Sequence, residues 1–168
     1  RAAASHQQVA VGFEQMVEKH GKSVDTYLDQ LKEASKGTVS ETELMRQANQ
    51  ALLMGLDPQQ VISMLRSTTK IALNTGQNVN RMYTELVEGV GTMSAEQLEN
   101  IGITLEQSKA QEMWAQRLGK SVDNLTAVEE KTGFQTIALE RLQKKASEFE
   151  GVPDTTQTSF QELQSNLD

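Results

Sequence analysis

Residues capable of chemistry are few and scattered in this chain. Neither His6 nor His20 has a second ligand at metal-binding spacing, and the His-Glu-x-x-His pattern is absent. His20 stands directly before Gly21 and reads as a helix-end residue near the negative pole of a helix dipole. Gly89-Val90-Gly91 lacks the third glycine and the preceding strand that a phosphate-cradling loop requires, so these glycines read as helix termination. Glu129-Glu130, and Glu148 with Glu150, are neighbouring acids that suggest acid/base work. Side chains one or two apart on a helix do not face each other, and a solvated face is the better reading. There is no cysteine, which removes thiolate nucleophiles, thiolate metal sites and disulfides. No Gly-x-Ser-x-Gly elbow occurs. The residues point to a protein that packs and does not react, with no catalytic group, metal or cofactor.

The bulk composition agrees. The 168 residues carry 16 Lys plus Arg against 23 Asp plus Glu, a net charge of −7. That balance argues against nucleic-acid binding, because phosphates need clustered cations. Hydrophobic residues make up 37% and aromatics only 4%, which suits helices that each bury one stripe and not a thick sandwich core. No apolar run approaches the ~18 residues of a membrane span. No signal peptide opens the chain. It starts Arg1-Ala2-Ala3-Ala4 without an initiator Met, so a piece of something longer is expected.

The elements that position these residues read as helices throughout. Phe13, Val17, Val24, Leu28 and Leu31 recur mostly at steps of three, four or seven. Gly21 either interrupts that run, at roughly 1 kcal/mol relative to Ala, or separates two helices. Lys36-Gly37 ends the segment. Ser40 with Glu43, Ser94 with Gln97 and Thr126 with Glu129 are capping boxes, while Asp57-Pro58 and Asn78 open two further helices. Gly55, Gly76, Gly102 and Gly119 close helices. Thr104 is expected to open the Trp114 helix, and the long helix after Thr126 is expected to run through Phe134, Ile137 and Leu142 toward Phe149 and to close at Gly151. Pairs at i,i+4 are expected for Glu18 with Lys22 and Glu140 with Lys144. A polar run from Val152 to Ser159 precedes a short stretch with Phe160, Leu163 and Leu167 on one side.

The expected fold class is all-α: a compact multi-helix unit with longer flanking helices and no sheet. Its expected divisions are an N-terminal helical extension over 1–37, a core module over 38–150, and a polar linker with a short amphipathic helix over 151–168. Val17, Val24, Leu28 and Leu31 form a near-heptad stripe that suggests self-association. Met45, Met54, Met64 and Met82 read as core filler, with a Met-lined groove as the alternative. Trp114 reads as a core anchor, with a partner-facing contact as the alternative.

The middle of the chain also resembles a known family. Leu44-Met45-Arg46-Gln47-Ala48-Asn49-Gln50-Ala51-Leu52-Leu53-Met54-Gly55 resembles the Ala-Asn-x-Ala-Leu-x-x-Gly stretch of tail tape-measure proteins of long-tailed bacteriophages and prophages. In the same order follow the helix ending Thr75-Gly76-Gln77-Asn78-Val79, then Tyr83-Thr84-Glu85-Leu86-Val87-Glu88-Gly89-Val90, and Leu98-Glu99-Asn100-Ile101-Gly102-Ile103. The last run, Trp114-Ala115-Gln116-Arg117-Leu118-Gly119-Lys120 through Thr126, is similar to the family's Tyr-Ala-x-x-Leu-Gly-Lys pattern. Glu99 stands for the family's Asp, Trp114 for its Tyr, and the basic pair after the third run is replaced by Thr92-Met93.

This resemblance implies a virion structural protein whose length sets tail length while tube subunits polymerise around it. A helix rises ~1.5 Å per residue, so residue count becomes tube length. It implies tail-tube and tail-assembly chaperone partners, and a location in the virion tail after assembly in the host cytoplasm. Asn49, Gly55, Gly76, Asn100, Gly102, Trp114, Gly119 and Thr126 are the structural positions the motifs single out. The alternative is a cytoplasmic helical adaptor or chaperone-like module with a hydrophobic groove.

Overall fold

Pro58–Asn74 carries a wide apolar face, from Val61 and Ile62 through Leu65 to Ala72 and Leu73, beside a polar stripe of Gln59, Ser63, Arg66, Lys70 and Asn74, and most of such a helix must be covered. The structure is a computed structural model and describes residues 2–151 and 156–167. In it this helix, α4, packs against four others. The elements in chain order are α1 (Ala2–Lys19), α2 (Val24–Ala34), α3 (Glu41–Leu53), α4 (Pro58–Asn74), α5 (Val79–Gly91), α6 (Ala95–Asn100), α7 (Gln107–Leu118), a 3-10 turn (Val122–Asn124), α8 (Ala127–Ala146) and α9 (Thr156–Leu167). Among the described residues there is no strand, so the protein is all-α and without a sheet.

Around α4 lie α2, α3, α5 and α8, while α1 covers α3, α6 covers α5, and α7 covers α8. Val61, Leu65 and Ala72 of α4 are fully enclosed. Its two buried hydroxyls are satisfied within the helix: Thr68 Oγ1 donates to Met64 O at 2.7 Å, and Thr69 Oγ1 to Leu65 O at 2.8 Å. Tyr27 of α2 and Tyr83 of α5 lay their rings against it and donate their hydroxyls to Pro58 O (3.0 Å) and Val61 O (3.2 Å). Met45, Met64 and Met82 are core filler; Met54 packs half-buried against the same core.

One hydrophobic core runs from Phe13 to Ala146 and crosses residue 37 without a break. Of the stripe expected to self-associate, Val17 and Leu31 are each 1% exposed, and Val24 and Leu28 pack half-buried on the same core. Their near-heptad spacing matches a helix that packs on α3 and α4 as well as one that packs on another copy.

Helix ends follow local chemistry closely. Gly55, Gly76, Gly102 and Gly119 all have φ between 68° and 99°, a region where a Cβ would clash with the following carbonyl. Asp57 with Gln60 and Thr126 with Glu129 form full reciprocal capping boxes. Ser40 and Ser94 accept from the expected amides, but their boxes stay half-formed. Glu43 turns to the Arg46 guanidinium and Gln97 to Glu88. Asn78 caps α5 through Arg81 N at 3.0 Å.

α5 runs past Gly89 and ends at Gly91, within the expected bounds; Met93, at φ 54°, takes the left-handed position beyond it, with Ser94 N donating back to Gly89 O at 2.9 Å. Other ends differ from expectation. Thr104 does not open α7. Ile103 and Leu105 both turn inward, at 3% and 2% exposure, which keeps 103–105 extended until Glu106. The long helix ends at Ala146, short of Phe149 and Gly151. Of the expected linker, 152–155 lies outside the described residues, as does the Phe160 side chain; 156–159 already belongs to α9.

Candidate functional site

The histidines are engaged in ordinary helix chemistry. His20 Nδ1 donates to Met16 O at 2.8 Å, as a residue at the end of α1 should. His6 Nδ1 is hydrogen-bonded to Thr42 Oγ1 at 2.5 Å, which ties α1 to the start of α3. Among the described residues no group of three His, Asp or Glu could hold a metal ion. Glu129 serves as capping partner and accepts the Lys120 ammonium at 2.8 Å; that ammonium, with the Thr126 amide, holds its carboxyl below the usual range. No helix is long and apolar enough to cross a membrane.

A polar groove of ≈ 360 Å³ lies where the first turns of α3 and α5 meet the end of α9. Ser40, Glu43, Asn78 and Asn80 line it from one side and Ser165 and Leu167 from the other. Ser165 Oγ donates to Gly37 O. Behind the groove sits Gln47, 3% exposed, whose Nε2 donates to Thr84 Oγ1 at 2.9 Å and to the Asn80 side-chain oxygen. Gln47 thus clamps α3 to α5, while its own Oε1 is buried without a partner. The groove supplies hydrogen-bonding groups but no nucleophile with a base beside it.

A second specialised region is the α7–α8 pair. Trp114 lies half-buried over Gly133, and Arg117 stands 5.8 Å from the indole centroid. Arg117 forms a fork with Glu140, both N–O distances 2.7 Å. The fork holds the Glu140 carboxyl below and the Arg117 guanidinium above their ordinary values. Glu140 therefore does not form the expected pair with Lys144, and Glu18 forms none with Lys22. Where α7 passes into α8, Leu118, Val122 and Val128 are exposed, Val128 at 75%.

The positions singled out in the sequence do not converge on one cleft. Gly55, Gly76, Gly102 and Gly119 terminate helices, Asn100 is the exposed last residue of α6, and Thr126 caps α8. Asn49 faces α1, its Nδ2 3.4 Å from where a Cβ on Gly12 would lie, and its Oδ1 is buried without a partner. Trp114 is the one that makes a specialised contact. Sequence reasoning missed the joints between helices: Gln47, the two tyrosine hydroxyls, Gly133, and Gln135, whose Nε2 donates to the α3 end at Met54 O (3.1 Å). A glycine inside the regular α8 pattern was the one visible signal.

What fold and surface define together is an all-helical packing module whose special residues serve helix ends and helix joints. No family model matches the chain, and no solved structure matches it.

Proposed function

We propose that this chain is a structural module of a phage tail tape-measure protein, and that it acts by packing within the tail during assembly. The observation that supports this reading is the order of five motif runs between residues 38 and 142. Gly55, Gly76, Gly102 and Gly119 of these runs end helices here and Asn78 and Thr126 start them, which is the work expected of shared residues in a scaffold. In this reading the frequent breaks make the module a folded body carried by the polypeptide, while a continuous helix elsewhere would serve as the ruler.

The adaptor reading has one observation of its own, the exposed Leu118, Val122 and Val128 where α7 passes into α8. It predicts a discrete peptide ligand on that surface.

Two results discriminate. The tape-measure reading expects a much longer parent reading frame among tail-tube and tail-chaperone genes, and purified virions that antibodies to this chain label. A complete gene of about this size, or virions free of label after tail disruption, would overturn it.

A further inference from the structure

Arg141, Lys144 and Lys145 line one open cleft of ≈ 390 Å³ together with residues 102–104 and Glu148. They sit at i, i+3 and i+4 on α8 and so share a face. Arg141 donates to Thr104 O and, at 3.7 Å, to Met113 Sδ; Lys145 Nζ donates to Gly102 O at 3.1 Å. Arg141 and Lys145 are half-buried and Lys144 is exposed.

Among the described residues none of the three forms an ion pair, although Glu148 lines the same cleft. The ion pairs among the described residues engage Lys32, Arg46, Arg81, Lys109, Arg117 and Lys120. Cations drawn partly out of water are normally paired, and this chain has 23 acids for 16 bases, so partners were abundant. The loop carbonyls orient two of the cations without neutralising them. Each carbonyl takes one proton, which leaves further N–H donors on both. The negative end of α8 favours Lys144 and Lys145 in its last turn, but Arg141 lies farther in, where that effect has faded.

We propose that this cleft docks an acidic polypeptide segment of a partner protein, its carboxylates meeting Lys144 and the remaining donors of Arg141 and Lys145. A nucleic acid fits the cleft less well. No aromatic ring lines it for base stacking.

The test is a titration of fluorescent hexaglutamate into the full chain at low salt, read by anisotropy, with hexathymidylate in parallel. Saturable hexaglutamate binding that weakens with salt is expected, and Lys144→Glu should weaken it by about tenfold or more, a difference of one charge contact. Lys144 is exposed and holds no loop carbonyl, so the variant should stay folded, with only a slightly lower melting temperature from the reversed charge at the helix end; Lys19→Gln, on helix α1, should bind like the parent. Non-saturable binding, binding indifferent to Lys144→Glu, or tighter binding of hexathymidylate would overturn the proposal.

Discussion

Trp114 occupies the space that a side chain on Gly133 would need. A Cβ built at Gly133 would lie 2.4 Å from Trp114 Cγ and 2.7 Å from its Cβ. These are the inner atoms of the Trp side chain, so rotation of a flexible tip cannot relieve the contact.

Gly133→Ala should therefore destabilise the protein, although Ala favours a helix by about 1 kcal/mol over Gly. Overpacking costs typically 1–3 kcal/mol, and the balance should appear as a lower urea midpoint. In a Trp114→Gly background, which removes both the Cγ and the Cβ it would meet, the same substitution should lose that penalty. If Gly133→Ala raises the midpoint with Trp114 in place, the contact does not constrain the α7–α8 pair.

Leu31→Ala tests whether the first two helices belong to the core. Leu31 is 1% exposed, and its truncation should cost ~2–5 kcal/mol while the protein still melts in one transition. A detachable extension would instead give a separate early transition and leave the main one in place.

Alkaline stability should depend on Tyr27 and Tyr83. Burial raises both phenols well above the ordinary 10.0, with the Asp57 carboxylate adding to Tyr27 and Tyr27 itself to Tyr83. A group raised on folding contributes stability below its unfolded pKa and loses it as pH climbs past that value. The parent should thus lose helical circular dichroism above about pH 10. Tyr27→Phe/Tyr83→Phe should move that loss to higher pH, while costing roughly 0.5–1.5 kcal/mol per hydroxyl at neutral pH. An unmoved alkaline transition would show that the phenols do not drive it.

The Arg117–Glu140 fork gives the opposite sign. Its carboxyl is held below the ordinary 4.5, so its contribution is present above that value and fades as pH falls through the lowered one. Both side chains are largely solvated, and screening keeps the effect small. Glu140→Gln should lower the melting temperature slightly at pH 7, less so in high salt, and not at all near pH 2. A deficit that persists in acid would have to come from packing.

Much of the helical outline was legible, because its signals are local. Asp57-Pro58, Asn78 and the Thr126 box cap their helices through atoms three residues away. Gly55, Gly76, Gly102 and Gly119 meet a backbone requirement that exists before any tertiary contact forms. The errors occur where a residue answers to a distant one. Thr104 reads as a helix opening from its own surroundings, yet Ile103 and Leu105 turn into the core and keep the chain extended until Glu106. Glu140 has Lys144 one turn away and pairs instead with Arg117 across the helix pair.

Composition and spacing were thus enough for an all-helical chain without thiol chemistry, and for most of the points where its helices begin and end. Periodicity states that a helix has an apolar face and is silent on which surface that face meets. Whether Val17 and Leu31 join another molecule or this one, and whether Arg141 finds a carboxylate, depends on how several helices share α4 as their centre. Those are contests between partners far apart in the chain, and only the packed arrangement resolves them.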